Sequence, residues 1–146
     1  MEQASGDGTT KVVLVEDHDD SRALVAELLR MTGFDVTECP TPESALAELE
    51  ASTFDIIVTD LTLEGMSGAD LVRQARALPR FAKLPAIAVT GRSSLTDEER
   101  AVFGVVLVKP IDPAKLARSI TQLTESSRAA SDASGPPSSD SRATPA

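Results

Sequence analysis

The sequence predicts an α/β fold in which five strands of a parallel sheet alternate with five helices, over about residues 11–125. Short apolar runs bounded by turn residues recur along the chain, and stretches with apolar residues at helical spacing lie between them. This alternation is typical of parallel strands joined by crossover helices. With 146 residues, 41% of them hydrophobic, the chain has enough apolar material for one compact domain.

The first predicted strand covers residues 12–15, and a helix follows from about Ser21. Asp19 or Asp20 is expected to cap this helix, and Gly33 is expected to end it. The apolar residues that share one face of the helix, and that we expect to point at the core, are Leu24, Leu28 and Met31.

The second strand is predicted over residues 36–39. Thr41 then supplies a cap and Pro42 a first-turn proline, which together predict the start of a second helix. The buried positions of that helix are predicted to be Ala45, Leu46 and Leu49. Residues 54–58 are predicted as the third strand, and we place it at the centre of the sheet because its apolar residues run on without alternation.

The third helix is predicted over residues 67–78, and the fourth strand over residues 85–90. The residues aligned on the inner face of this helix are Leu71, Ala75 and Leu78. A helix at this point completes the crossover that two parallel strands of one sheet require.

The last two helices begin with recognisable capping residues. Thr96 and Glu99 form a capping box that opens a short, weakly apolar fourth helix, and residues 105–108 are predicted as the fifth strand. Asp112 and Pro113 predict the start of the fifth helix. Its inward-facing residues are predicted to be Leu116, Ile120 and Leu123.

The two ends of the chain have no apolar periodicity. We expect residues 1–10 to be a flexible N-terminus and residues 126–146 to be a disordered tail rich in Ser, Ala and Pro, because such segments bury too little to offset the entropy of ordering. The folded domain is therefore predicted to cover residues 11–125.

Composition limits the classes of function. The net charge of −9 disfavours direct binding to DNA and to anionic membranes. Cys39 is the one cysteine, so the sequence contains no pair for an internal disulfide. We expect Cys39 to be buried like a small hydrophobic residue, and we expect the protein to be in a reducing, cytoplasmic environment. No apolar stretch reaches the ~18 residues of a membrane span, so we expect no membrane insertion.

Polar residues whose side chains can take part in binding or catalysis stand at the predicted strand ends. Glu16 and Asp17 follow the first strand, Asp60 follows the third, Thr90 ends the fourth, and Lys109 follows the fifth. Functional crevices of open parallel sheets lie at the carboxyl ends of the strands, so we expect these side chains to converge. Three carboxylates brought together demand a counter-cation, and their hard oxygen ligands suit Mg²⁺.

The same set fits phosphoryl transfer. A divalent cation and the Lys109 ammonium would neutralise an incoming phosphoryl group, and Asp60 would then attack phosphorus to give an aspartyl phosphate. The Thr90 hydroxyl could donate a hydrogen bond to a phosphoryl oxygen. Taken one by one these residues also have ordinary structural explanations, such as helix caps and solvated charges. Their shared position at the strand ends favours a function.

Four segments resemble the motif blocks of receiver domains, the phosphorylatable domains of response regulators in two-component signalling. They read VVLVEDHDD, DIIVTDLTLEGMSG, AIAVTG and VVLVKP, and the resemblance covers about residues 11–123. It implies a flavodoxin-like, doubly wound sheet with strand order 2-1-3-4-5. It also implies that a sensor histidine kinase or a phosphotransfer protein supplies the phosphoryl group and that phosphorylation switches binding to a downstream protein. The only catalysis implied is the domain's own phosphoryl uptake and dephosphorylation.

The resemblance assigns a role to each matching residue. Asp60 corresponds to the phosphoacceptor, Thr90 to the hydroxyl residue that follows the phosphoryl group, and Lys109 to the lysine of the site. The metal-binding positions are Glu16, Asp17, Asp60 and the backbone carbonyl of Thr62. The implied cofactor is Mg²⁺.

The sequence also departs from the family pattern. Val106 stands three residues before Lys109, where the family usually has an aromatic residue that moves on activation, and the short spacing between Thr90 and Lys109 predicts a truncated fourth helix. These departures bear on output rather than on phosphorylation. An alternative function is a receiver-like interaction module that is not phosphorylated, and the complete set of Glu16, Asp17, Asp60, Thr90 and Lys109 argues against it. An aspartyl-phosphate phosphatase would need an aspartate where Thr62 stands, and a flavin-binding protein would have a phosphate-binding loop after the first strand instead of the acidic residues found there.

Overall fold

The computed structural model describes residues 9–133 and contains a five-stranded sheet with helices on both of its faces. The strands are β1 Lys11–Val15, β2 Asp35–Cys39, β3 Ile56–Asp60, β4 Ala86–Thr90 and β5 Val105–Val108. The helices are α1 Asp19–Met31, α2 Pro42–Ala51, α3 Gly68–Arg76, α4 Asp97–Val102 and α5 Pro113–Ala133, with a 3₁₀ turn at Pro79–Phe81. Each predicted strand and helix is present, although β3 begins and ends two residues later than predicted.

The strands lie in the order β2-β1-β3-β4-β5, and each pair is parallel. This confirms the predicted flavodoxin-like order, with β3 at the centre. The change of direction in strand order falls between β1 and β3, where Val15 pairs with Thr59 in register. Ligands of such sheets bind beside this point, at the carboxyl ends of the strands.

The sheet separates two apolar clusters. Alternate residues of each strand point to opposite faces, so Val12 packs with α1 and α5, while Val13 packs with the other three helices. The strands β1, β3 and β4 are buried on both faces, which explains why their sequences show no polar alternation. These two layers hold the strand ends at fixed positions.

The predicted inner face of α1 is wrong. Leu24 is 59% exposed and Met31 is 76% exposed, whereas Ala26 and Leu29 are buried against the sheet. Two neighbouring stripes of α1 have helical spacing, and the stripe that contains Leu29 makes the core contacts. The other stripe therefore lies next to the core and partly faces solvent.

The helix starts follow the predictions in most cases. Capping boxes begin α2 at Thr41 and α4 at Thr96, and the side chain of Asp112 accepts a hydrogen bond from the Ala114 N–H at the start of α5. The prediction for α1 is wrong, because its cap position is His18, and Asp19 and Asp20 lie in the first turn. There their charges favour the helix dipole. Helix α4 is short, as predicted.

The predicted boundary at residue 125 is also wrong, because α5 continues to Ala133. Residues 126–133 contain three alanines and no glycine or proline, so they extend a helix that is already packed without the cost of nucleation. The rest of the predicted tail, residues 134–146, and most of the predicted flexible N-terminus, residues 1–8, lie outside the described part of the chain. Within residues 9–133, no helix is both long and apolar enough to cross a membrane.

Candidate functional site

The predicted site residues lie at the carboxyl edge of the sheet. Lys109 is the link between them, because its Nζ donates hydrogen bonds to Asp60 Oδ2 at 2.9 Å and to Glu16 Oε1 at 3.1 Å. Burial of Lys109 favours the neutral amine, but the hydrogen bonds and charges of Asp60 and Glu16 outweigh it and raise the pKa of Lys109 above its ordinary value. The ammonium form is therefore stabilised between two carboxylates.

Asp60 is the last residue of β3 and is 8% exposed. Its Oδ1 accepts a hydrogen bond from the backbone N–H of Thr62 at 3.2 Å, so each carboxylate oxygen has a donor. Helix α3 begins directly behind it, since the Gly68 N–H donates to the Leu61 carbonyl at 2.8 Å. A side chain at Gly68 would overlap the Asp60 carbonyl oxygen and would come within 3.1 Å of Leu61 Cα. The absence of a Cβ at Gly68 allows this close approach.

Glu16 is held from two sides. Its carboxylate contacts Lys109, and its backbone carbonyl accepts a hydrogen bond at 2.9 Å from Arg22 of α1. The guanidinium of Arg22 also pairs with Asp19 at 2.8 Å and lies 3.5 Å from Glu38 of β2. Sequence reasoning missed Arg22, because its role depends on the contact between α1 and β2 rather than on a motif.

Thr90 ends β4 and is 1% exposed. Its Oγ1 accepts a hydrogen bond from the Arg92 N–H at 3.0 Å, and its carbonyl accepts one from the Lys109 N–H at 2.8 Å. The Arg92 side chain in turn pairs with Glu99 of α4. Thr90 is thus joined to the lysine of the site on one side and to α4 on the other.

Asp17 and His18 occupy the rim of the site. Asp17 is exposed, and its Oδ1 lies 3.4 Å from Nδ1 of His18. The same ring nitrogen lies 3.2 Å from Oε2 of Glu16. The side chain of His18 is 76% exposed, and its ring lies close to both acids.

The donor set fits a hard divalent cation. Glu16 and Asp60 contact the Lys109 ammonium, and Asp17 follows Glu16 at the rim, so the formal charges of these four side chains sum to −2. Carboxylate and carbonyl oxygens are the ligands that Mg²⁺ prefers. Thr62 is an exposed residue of the loop after β3, and its backbone N–H donates to Asp60 Oδ1.

An apolar groove of about 310 Å³ lies beside the charged residues, between α1 and the start of α5. Glu16 and Lys109 line the end of the groove that meets the site. Its apolar lining comes from both helices and the segment before α5, and includes Leu24, Leu28, Pro110, Ile111 and Leu116. The partly exposed stripe of α1, which contains Leu24 and Leu28, is therefore one wall of a groove that opens onto the site.

A profile of the family described as the response regulator receiver domain matches residues 12–121. The fold and the strand-end residues already point to this class of signalling domain. The chain belongs to the response regulator receiver domain family, as the sequence motifs predicted.

Individual relatives agree with this assignment. The chemotaxis protein CheY of Pseudomonas aeruginosa is 34% identical over 119 residues, which cover 79% of this chain and 96% of that protein. The sensory transduction protein RegX3 of Mycolicibacterium smegmatis is 44% identical over 89 residues, which cover 61% of this chain and 38% of that longer protein. A solved CheY-like receiver domain from Methylobacillus flagellatus superposes with a TM-score of 0.73 at 32% identity, covering 79% of this chain and 98% of its own.

Proposed function

We propose that this receiver domain accepts a phosphoryl group on Asp60 from a phosphohistidine of a sensor histidine kinase or phosphotransfer protein, with Mg²⁺ bound at the acidic edge. One observation carries the proposal: Asp60 stands buried at the end of the central strand with its carboxylate against the Lys109 ammonium. A nucleophile that receives a dianionic group needs such a positive neighbour. Phosphorylation would then change the binding of a downstream protein.

The proposed reaction uses residues that are already in place. An oxygen of Asp60 attacks the phosphorus of the donor, the phosphorus–nitrogen bond breaks, and the histidine nitrogen leaves with the electron pair and takes up a proton. Lys109 compensates the charge of the new aspartyl phosphate. The Thr90 hydroxyl can donate its proton to a phosphoryl oxygen. Attack of water on phosphorus later releases inorganic phosphate and restores the carboxylate, so the domain catalyses only its own modification and reset.

Glu16, Asp17, Asp60 and the Thr62 carbonyl would hold the Mg²⁺ ion. When bound, the ion supplies charge neutralisation for the transferred group. The chain's own contribution is to position the ligands, and Arg22 and Lys109 hold Glu16 from opposite ends.

We also propose that the phosphodonor docks on the apolar groove between α1 and α5. The groove ends at Glu16 and Lys109, so a helix seated in it would bring a side chain to Asp60. Partly exposed apolar residues on α1 favour a protein partner. The net charge of −9 argues against DNA as a partner, and the free thiol of Cys39 agrees with a cytoplasmic location.

Labelling tests the phosphoacceptor. The protein would be incubated with acetyl phosphate with and without Mg²⁺, and intact-mass analysis would count phosphoryl groups. We expect one group on the wild type in the presence of Mg²⁺ and none on Asp60→Asn. Asp97→Asn is a matched control, because Asp97 is an exposed acid on α4 away from the site, and it should be labelled like the wild type.

Two results would contradict the proposal. Labelling of Asp60→Asn would show that another residue accepts the group. A wild type that neither binds Mg²⁺ nor takes up phosphate would favour the alternative of a receiver-like interaction module.

A further inference from the structure

His18 is the one histidine of the sequence. It occupies the cap position of α1, and its backbone N–H donates a hydrogen bond to Glu16 Oε2 at 3.1 Å. This contact holds the residue over the acidic pair. The ring remains 76% exposed at the rim, so an ion from solvent can reach it.

The ring nitrogen and two carboxylate oxygens are spaced like ligands of one ion. His18 Nδ1 lies 3.2 Å from Glu16 Oε2 and 3.4 Å from Asp17 Oδ1, and one ligand atom from each of the three residues falls within 4.8 Å of the others. Neighbouring ligands of a metal with bonds of about 2.1 Å lie about 3 Å apart. Only small side-chain shifts would bring all three onto one ion.

The charge arrangement leaves these atoms available. Lys109 contacts the other oxygen of Glu16, Oε1, and so does not occupy the oxygen that faces His18. Nδ1 serves as a metal ligand when the ring is neutral and the proton is on Nε2. Imidazole suits Zn²⁺, Ni²⁺ and Co²⁺ and is a poor partner for Mg²⁺, which prefers oxygen.

We propose that His18 adds a nitrogen ligand to the acidic edge, so that the receiver binds divalent ions that accept imidazole, such as Zn²⁺, through His18, Asp17 and Glu16, more tightly than oxygen ligands alone would allow. This inference rests on the proposed metal site, because Asp17 serves in both. Since the two ions share Asp17, Zn²⁺ competes with Mg²⁺. Uptake of a phosphoryl group by the receiver then depends on which divalent ion is bound at the acidic edge of the sheet.

The thiol of Cys39 does not interfere with a test of this site. Cys39 is 1% exposed, and its burial raises the pKa of the thiol to about 11, so no thiolate is available near neutral pH. A nitrogen signal that responds to Zn²⁺ therefore reports on His18 alone, provided that the protein carries no histidine tag.

The experiment follows the imidazole nitrogens of the untagged, ¹⁵N-labelled protein by NMR during titration with Zn²⁺ and, separately, with Mg²⁺. We expect Zn²⁺ to shift the ring signals to a 1:1 endpoint and Mg²⁺ to leave them almost unchanged. In calorimetry, His18→Ala should weaken Zn²⁺ binding by at least about tenfold, as loss of a metal-site residue does. The same variant should weaken Mg²⁺ binding and the labelling of Asp60 far less than it weakens Zn²⁺ binding, because Mg²⁺ prefers oxygen ligands.

Asp17→Asn separates a built site from a lone surface histidine. It should weaken binding of both ions and should reduce the response of the ring to Zn²⁺. If the ring responds equally in Asp17→Asn, Zn²⁺ binds the exposed imidazole alone and the inference is wrong. It is also wrong if Zn²⁺ leaves the ring signals unchanged while Mg²⁺ still binds and Asp60 is still labelled. Failure of Mg²⁺ binding and of labelling would instead overturn the proposed function.

Discussion

Gly68 determines how closely α3 approaches the end of β3. Its N–H bonds the Leu61 carbonyl, and a Cβ there would meet the backbone of Asp60, which cannot move aside as a flexible side chain could. Gly91, in the loop after β4, has nothing within 4 Å of an added Cβ. The two glycines therefore form a matched pair for testing backbone packing at the site.

We predict that Gly68→Ala lowers the free energy of unfolding by about 1–3 kcal/mol, as overpacking does, and slows phosphorylation of Asp60. Urea denaturation and acetyl phosphate labelling measure the two effects. Gly91→Ala should change stability by less than about 1 kcal/mol and should leave labelling intact. Equal behaviour of the two variants would show that the contact with Asp60 does not constrain Gly68.

Cys39 ends β2, and its carbonyl accepts a hydrogen bond from the Glu16 N–H at 3.2 Å. Burial is the main reason that the pKa of its thiol rises from 9.0 to about 11, and the charge of Glu48 adds to the rise. Because ionisation of this thiol is less favourable in the folded protein, the neutral thiol makes its full contribution to folding stability below the pKa of the unfolded state. That contribution disappears as the pH rises through the folded pKa.

We therefore predict that wild-type stability falls between about pH 9 and pH 11 by about 3 kcal/mol more than that of Cys39→Ala, at about 1.4 kcal/mol per unit of pKa shift. Urea denaturation of both proteins at pH 8, 9, 10 and 11 measures the difference. Cys39→Ala keeps every other ionisable group, so the effects of those groups cancel in the comparison. A constant gap between the two proteins over this range would contradict the prediction.

At the scale of the element, α1 shows why apolar spacing alone did not identify the buried face of a helix. Val25 and Leu29 form one stripe at helical spacing, and Leu24 and Leu28 form another beside it. The contacts of Leu29 with the sheet decide which stripe is buried, and those contacts depend on β2 and α5, which periodicity within α1 does not contain. The stripe next to it became the wall of the groove.

We predict that Leu24→Lys slows phosphotransfer from a phosphohistidine protein by at least about tenfold, which corresponds to loss of about 1.4 kcal/mol of docking energy. Met31→Lys is the matched control, because Met31 is also an exposed apolar residue of α1 but does not line the groove. Radiolabel transfer from the donor measures the rate, and acetyl phosphate serves as a donor that needs no docking surface. Slow transfer in both variants, or slow uptake from acetyl phosphate by Leu24→Lys, would count against docking in the groove.

At the scale of the whole molecule, the connection from the site to α4 passes through Arg92. Its N–H donates to Thr90 Oγ1, and its side chain pairs with Glu99. Val106 on β5 is half-buried among the residues packed beneath α4, and its β-branched side chain has few rotamers. A movement of Thr90 would therefore act first on the loop that contains Arg92.

We predict that phosphorylation changes the structure mainly in residues 61–66 and 90–93, close to Asp60. Amide chemical shifts of the Mg²⁺-bound protein, recorded before and after addition of beryllofluoride, should change most in these two loops and less over residues 96–108. In Glu99→Gln, which weakens the pairing with Arg92, the changes near the start of α4 should become smaller still. Changes over residues 96–108 as large as those in the loops would refute a local response.

The sequence was sufficient to predict the strand order, through its resemblance to receiver domains. It was also sufficient to predict that Glu16, Asp60, Thr90 and Lys109 lie at one edge of the sheet, because parallel strands bring their carboxyl ends together. It was insufficient where a contact joins elements distant in sequence. The role of Arg22 depends on α1 meeting β2. The continuation of α5 to Ala133 depends on a packed helix that can propagate, which composition alone does not show.

In the proposed docking of the phosphodonor, the groove on α1 separates the choice of partner from the chemistry. Leu24 is largely exposed and is not among the residues of the two apolar clusters, so substitution there costs the fold little. A duplicated copy of this domain can therefore acquire a new phosphodonor, and stop exchanging phosphate with the old one, through a few changes on one helix. Insulation between parallel signalling routes is then a property of this surface, and the reactive edge can stay the same in every copy.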